Sequence, residues 1–328
     1  MNRPDALMIL ETFPQALILT GPTGSGKSRL ALDLAARLDA EIVSMDSMAL
    51  YRRMDIGTAK PTPEERRRVP HHLLDVLDPW ESASVAWWLE RASACCQDIT
   101  QRGKRPLFVG GTPLYLKALL YGLFDGPPAD ETIRRRLSDE AAEGGAALHA
   151  RLAAVDPISA ARLHPNDVRR VIRALEVWEL TGQPISAWQT QWLSGGRQPP
   201  ESSDPQGADA PRSGLPLRCL SLDLPRAELY ARIDARVERM IAEGLAEEVN
   251  ALRRLERPLS REAAQALGYK EMFDYLDGRA SLEETVRRIQ TRSRNFAKRQ
   301  ITWFRHLPPC RPIRPELTFA AWGLTMNG

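Results

Sequence analysis

The sequence predicts an α/β fold: a parallel sheet flanked by helices, with an all-helical insertion domain. Three observations carry that expectation. Short apolar runs alternate with stretches of helical periodicity in the first part of the chain. One such run opens directly into a glycine-rich turn, and strand-like runs then disappear between residues 130 and 180.

Taken in order, residues 16–20 (ALILT) form a short apolar run that reads as a buried parallel strand. Residues 28–38 follow with Leu30, Ala31, Leu34, Ala35 and Leu38 at helical spacing. Residues 41–44 (EIVS) read as a second strand that delivers Asp46 just past its end, residues 84–101 as a helix, and residues 106–109 (PLFV) as a third strand ending in Gly110-Gly111-Thr112. In parallel sheets of this kind ligands bind beyond the carboxyl ends of the strands. His71, His72 and Asp78-Pro79 read as a turn. Residues 1–125 are thus the first part of the core, and residues 126–190 a helical insertion punctuated by Pro157, Pro165 and Gly182. Residues 191–216, rich in Pro, Gly, Ser and Asp, read as a flexible loop. Residues 217–315 return to the core with a strand (RCLSLDL, 218–224), a single long helix over 226–255 and a basic C-terminal helix, leaving 316–328 as a tail.

With 328 residues and 43% apolar side chains, the chain can bury a real core. Its net charge of only +3 does not by itself announce a nucleic-acid partner; the distribution matters more, and the basic run near the end reads as a solvated face or, the preferred reading, as a surface for an anionic partner. From Arg287 to Arg314 basic residues recur with no acid among them, and Trp303 and Phe304 lie within the run. The four cysteines (Cys95, Cys96, Cys219, Cys310) form no C-x-x-C pair, which argues against zinc and fits a reducing compartment. The short apolar run 7–10 lies between Asp5 and Glu11, unlike a signal peptide, and no stretch is apolar enough to span a membrane. A cytoplasmic monomer is the expectation.

The sharpest motif is Gly21-Pro22-Thr23-Gly24-Ser25-Gly26-Lys27-Ser28, a G-x-x-x-x-G-K-S phosphate loop, which makes the sheet P-loop NTPase-like. Its glycines let backbone N–H groups turn toward phosphate oxygens, the following helix aims its positive end at them, Lys27 adds a charge and the Ser28 hydroxyl can ligate Mg²⁺. The ligand is not fixed by the loop. A typical ATPase also places an Asp at the end of a hydrophobic strand to hold the metal. Here the third strand runs into Gly110-Gly111-Thr112, so phosphoryl transfer is disfavoured. Asp46 is the best candidate for a general base, although Asp46 and Ser47 read equally well as an N-cap for a helix over 48–51.

Along the chain stand GPTGSGKS (21–28), DSMALYRRMDIGTAKP (46–61), VGGTPLYLKALL (109–120), HPNDVRRVIRALEV (164–177), LGYKEM (267–272) and KRQITWFR (298–305). Together they resemble tRNA dimethylallyltransferases of the bacterial type, the tRNA isopentenyltransferases or IPP transferase family, from about residue 16 to residue 305. The resemblance implies transfer of a dimethylallyl group from dimethylallyl diphosphate to N6 of the adenosine 3′-adjacent to the anticodon, with diphosphate and Mg²⁺ at the phosphate loop. It implies Asp46 as base and Thr112 as a residue aligning the substrates. Arg232 and Arg236, four apart on one helix face, would lie near the diphosphate, Arg232 with a catalytic part. Contacts to the tRNA anticodon stem-loop would come from Asp46, Ser47, Met48, Ala49 and Thr112, and from Arg134, Arg169, Arg170 and Arg173 of the insertion. They would also come from Gln265, Gly268, Tyr269 and Lys270, and from Lys298, Arg299, Gln300, Trp303 and Arg305. Two other classes remain open to the residues: a small-molecule kinase, and a prenyltransferase acting on free adenylate.

Overall fold

The computed structural model describes residues 9–123, 126–189 and 217–324. Loop residues 191–216, expected to be flexible, lie outside the described residues. The described residues of Leu7–Leu120 and Pro211–Gly328 form one compact unit, and those of Tyr121–Ala210 a second.

The larger unit is built on a six-stranded sheet of β1 (Leu17–Thr20), β2 (Ala40–Ser44), β3 (His71–His72), β4 (Arg105–Gly110), β5 (Cys219–Leu222) and β6 (Cys310–Ile313). The order is β3-β2-β4-β1-β5-β6 and each neighbouring pair runs parallel, as the alternation of strands and helices predicts. Strands β1, β2 and β5 are buried throughout; β1 is a mostly apolar run, whereas β2 buries Glu41 and β5 buries Ser221 among apolar neighbours. Packed in this unit are α1 (Lys27–Leu38), α2 (Val85–Gln101) and α3 (Pro113–Tyr121). Leu34 and Ala31 of α1 share a core with Leu19, Leu107, Val109 and Leu220 of the sheet.

The second unit has its own core. Helices α4 (Glu131–Val155), α5 (Pro157–Arg162) and α6 (Val168–Thr181) bury Leu137, Leu148, Leu152, Val171 and Leu175 against one another. Asp130 caps α4 by accepting from the Thr132 and Ile133 amides, and buried Asp156 caps α5 through the Ser159 amide.

The returning chain supplies α7 (Arg226–Ala242), α8 (Leu245–Arg253), α9 (Tyr269–Leu276) and α10 (Leu282–Arg305) to the larger unit. The single helix expected over 226–255 is therefore two. Gly244, at φ 97°, breaks it, because a left-handed residue cannot continue an α-helix. Two further expectations are corrected. His71 and His72, read as a turn, pair with Ile42 and Val43 as an edge strand. The segment after Leu307 forms β6, whose Cys310 lies opposite Cys219 at a Cα separation of 4.6 Å in a disulfide, so these two cysteines are not free thiols. Cys95 and Cys96 remain thiols of α2. The part of the tail that is described also joins the core: Phe319 is buried and the Arg37 guanidinium lies 4.8 Å from its ring centre. Among the described residues no helix is long and apolar enough to cross a membrane.

Candidate active site

The order β2-β4-β1 brings three loops to one edge of the sheet. Register fixes their level: Thr20 of β1 stands beside Gly110, and Ser44 of β2 beside Val109. Beyond the strands the Met45 amide donates to Val109 and the Thr112 amide returns a bond to Met45 at 3.2 Å. This approach requires glycine. A Cβ on Gly110 would fall 2.1 Å from the Met45 carbonyl oxygen, so a larger residue would force β2 and β4 apart.

The phosphate loop bends through left-handed Gly24 (φ 81°) and Gly26 (φ 83°), the second entering α1. Two longer-range bonds fix Thr23: its amide donates to Gln300 Oε1 at 2.8 Å, and its hydroxyl accepts from Arg236 Nη1 at 2.9 Å. Ser25 Oγ is buried with no partner. Lys27 donates to the Pro22 carbonyl at 3.3 Å. Burial pushes its ammonium down to about 8, with Asp46 opposing that shift and Arg236 adding to it. Burial likewise lowers Arg236, again against the pull of Asp46. Lys27, Arg236 and Asp46 thus interact electrostatically at the mouth of the sheet, which is a cradle for a multiply charged anion beside a carboxylate.

Residues 48–51 do not form the helix that would make Asp46 a cap. Instead Asp46 Oδ1 accepts from the Met48 amide at 2.9 Å, an Asx turn that aims the carboxylate while using one of its acceptor sites. Thr112 Oγ1 accepts from the Ser47 amide at 3.0 Å, tying the β4 loop to the Asp46 loop. Ala49 is buried, so its side chain is not available to a base. Tyr115 of α3, which sequence reasoning missed, is stacked on Trp88 at 4.2 Å. Burial, and then the charge of Asp46, raises its phenol well above the usual range. The available signal was its place in the VGGTPLYLKALL run, three residues after Thr112.

The two arginines of α7 differ. Arg236 reaches the phosphate loop, whereas Arg232 is half exposed and pairs with Glu228 at 2.7 Å. Arg232 nevertheless lies beside the loop, since a Cβ on Gly26 would be 3.3 Å from its Nη1. The companion acid Asp234 is held by Arg294 at 2.7 Å.

Of the residues expected at RNA, Lys298, Arg299, Trp303 and Arg305 are exposed on α10, and Gln265 and Lys270 are exposed around the start of α9. Others are turned inward. Gln300 is 2% exposed, and the Tyr269 ring is fully buried, its hydroxyl donating to Glu248 at 2.6 Å. Glu248 also accepts from the amides of Asp55, Ile56 and Gly57, so Tyr269 and Glu248 hold the loop that follows the Asp46 segment. Gly268, buried at φ 92°, donates its amide to Glu271. In the second unit Arg134 and Arg173 both pair with fully buried Glu176, at 2.9 and 2.7 Å. Their guanidiniums pair with that carboxylate, which gives both arginines a structural role within the insertion. Arg169 and Arg170 are exposed, Arg170 meeting Asp167 at 3.2 Å.

Residues 49–307 match the model of the family described as IPP transferase. The chain is 50% identical over 299 residues to the tRNA dimethylallyltransferase of Geobacter metallireducens, covering 90% of this chain and 91% of that one. It is 48% identical to the enzyme of the same name from Geobacillus thermodenitrificans, covering 89% and 88%. Among solved structures, the tRNA isopentenylpyrophosphate transferase of Bacillus halodurans superposes with a TM-score of 0.62 at 40% identity, over 92% of this chain and 90% of that one. A eukaryotic dimethylallyltransferase acting on tRNA gives a TM-score of 0.68 at 26% identity, over 93% and 75%. With the family model matched over residues 49–307 and relatives of this identity covering most of each chain, the chain belongs to the IPP transferase family.

Proposed function

We propose that this chain transfers a dimethylallyl group from dimethylallyl diphosphate to N6 of the adenosine 3′-adjacent to the anticodon in tRNA, releasing diphosphate. The observation that carries this reading is the pairing of an anion cradle with the Asp46 carboxylate. Lys27 and Arg236 lie within electrostatic reach of Asp46, while β4 runs out into Gly111 and Thr112, where a phosphoryl-transfer enzyme of this type would place a metal-holding Asp. The names of the relatives support the same reading.

In the reaction the C1–O bond of the allylic diphosphate breaks, the N6–C1 bond forms, and the amine loses a proton. An adenine amine is a weak nucleophile, so stabilising the departing diphosphate matters most. Backbone amides of the phosphate loop, the Lys27 ammonium and Arg236 supply that stabilisation, with Arg232 at the edge. Asp46 takes the proton, its orientation set by the Met48 amide. Thr112 fixes the Ser47 side of the same loop.

Magnesium fits the chain's own residues. Ser28 stands exposed in the first turn of α1 and Ser25 Oγ is a buried hydroxyl with no partner, so the loop holds oxygen not consumed by the protein itself. Mg²⁺ keeps several waters and uses one or two protein oxygens plus phosphate. The lack of a cluster of three or more metal-binding side chains among the described residues is therefore no obstacle. Once bound, the ion neutralises charge on the diphosphate. Ser28 is the residue to hold it.

The target base is stacked in its loop and must be unstacked to react. Lys298, Arg299, Trp303 and Arg305 on α10 supply phosphate contacts and a stacking ring, and Arg170 a further cation. The test is incubation with labelled dimethylallyl diphosphate, Mg²⁺ and an unmodified tRNA, followed by digestion and identification of the nucleoside. One diphosphate per N6-alkylated adenosine is expected. Alkylation of AMP but not of an anticodon stem-loop, or ADP release from ATP, would overturn the proposal.

A further inference from the structure

Gln300 sits in the basic run KRQITWFR, yet its side chain faces away from solvent. Helix α10 buries Ser293, Ala297, Gln300 and Phe304, one stripe at helical spacing, while Lys298, Arg299 and Trp303 point outward. A glutamine on such a stripe is unfavourable unless both ends of its amide are paired. Here both are. Oε1 accepts from the Thr23 amide at 2.8 Å, and Nε2 donates to the Gly111 carbonyl at 2.6 Å. Since a backbone N–H only donates and a C=O only accepts, the partners fix the orientation of the amide.

We infer that Gln300 is a positioning residue of the donor site rather than an RNA contact: its amide ties the phosphate loop to the loop after β4. The packing around Gly111 shows how tightly these parts meet. A Cβ there would lie 2.5 Å from Gln300 Nε2, 3.1 Å from the Gly21 carbonyl oxygen and 3.5 Å from Lys27 Nζ. Gly111 is followed by Thr112, which holds Ser47 beside Asp46. One side chain therefore sets the spacing between the anion cradle and the loops that carry the base. Arg236 grips the same Thr23 through its hydroxyl, but it does not reach across to Gly111 by any bond the structure displays. Only a side chain with both a donor and an acceptor can make this bridge, so glutamate and methionine each break it differently. Glutamate keeps the acceptor for Thr23 and sets an oxygen against the Gly111 carbonyl. Methionine keeps the length and loses both bonds.

The inference rests on the diphosphate reading of the loop, and the experiment separates the two. Binding of dimethylallyl diphosphate, binding of tRNA at two salt concentrations, single-turnover rate and hydrogen exchange of residues 21–28 are measured for the wild type, Gln300→Met and Gln300→Glu. For both variants the rate should fall by about 10²-fold, the scale expected from misplacing reacting groups by an ångström. Donor affinity should weaken by about tenfold and exchange in the loop should rise, while tRNA affinity and its salt slope stay at wild-type values. A loss of tRNA affinity with donor affinity and exchange unchanged would make Gln300 an RNA contact and overturn the inference. So would full activity of Gln300→Met. If neither variant folds, the unliganded wild type still decides: a Thr23 amide that exchanges as freely as an exposed loop amide refutes the bridge. A wild type that binds no dimethylallyl diphosphate would sink the proposed reaction, while the exchange comparison would still report on the bridge.

Discussion

The ammonium of Lys27 makes donor binding pH-dependent in a direction that can be worked out. Burial lowers it from 10.5 to about 8, the nearby Arg236 adding to the shift and Asp46 opposing it. Each unit corresponds to about 1.4 kcal/mol, so holding this charge in the unliganded site costs about 3 kcal/mol. An alkyl diphosphate, ionised above pH ~6, restores the charge balance and raises the lysine toward its ordinary value. Below pH 8 the group is protonated with or without ligand, and affinity is insensitive to it. Above about 8 the free protein has lost the proton and binding must take one up. Affinity should then fall by up to tenfold per pH unit, to a limit of about 300-fold if the bound lysine recovers fully. Calorimetry with dimethylallyl diphosphate in two buffers of different ionisation enthalpy reads this directly. Proton uptake should be near zero at pH ~7 and approach one proton at pH ~9.5, while Lys27→Arg, which stays charged, should lack the dependence. The stability sign is linked. A lysine depressed in the folded state favours unfolding while protonated, so its penalty is complete below about 8 and fades as pH rises to 10.5. Unliganded Lys27→Met should be more stable than wild type at neutral pH, with the gap closing above pH 8. Wild-type affinity that is flat from pH ~7 to ~9.5 with no proton uptake would refute the reasoning.

Four further outcomes follow from the geometry. Asp46→Asn preserves the Asx turn to Met48 but removes the base, so single-turnover alkylation should drop by about 10²–10⁴-fold with tRNA affinity retained; an unchanged rate would reduce Asp46 to a turn former. Arg173→Ala strips one of two guanidiniums from buried Glu176 and should cost about 2 kcal/mol in urea unfolding. By contrast Arg170→Ala, at a side chain 67% exposed, should leave stability within about 0.5 kcal/mol and lower the salt slope of tRNA binding by about one. Gly110→Ala drives a methyl into the Met45 carbonyl and should lower both the melting temperature and the alkylation rate, the latter by about 10²-fold, because Asp46 follows Met45. A variant with wild-type rate and melting temperature would show that β2 and β4 have slack the structure does not display.

What could be read from the residues, and what could not, divides by the distance over which each feature is decided. The phosphate loop, β1 and α1 are legible because glycine placement, an apolar run and helical spacing are properties of consecutive residues. β6 is not legible, because CRPI is short and partly exposed, and it is a strand only by pairing with β5; its cysteine meets a partner 91 positions earlier. The same holds for side chains. Glu176 reads as one more surface charge on a charged helix until Arg134, 42 positions away, and Arg173 are seen to close over it. Tyr269 reads as a residue of a nucleic-acid-contacting run until Glu248 claims its hydroxyl. Gln300 is the instructive intermediate. Its bonds reach across 277 and 189 positions and no local pattern foretells them, but its place on the buried stripe of α10 was readable from spacing alone. A glutamine at the buried phase of a helix calls for partners within the protein, since leaving both ends of an amide unsatisfied costs more than an exposed alternative would. Applied to a basic run, this separates the residues that can reach an external partner from the one that cannot. Lys298, Arg299 and Trp303 occupy the solvent phase and are available to RNA, whereas Gln300 must serve the chain's own loops.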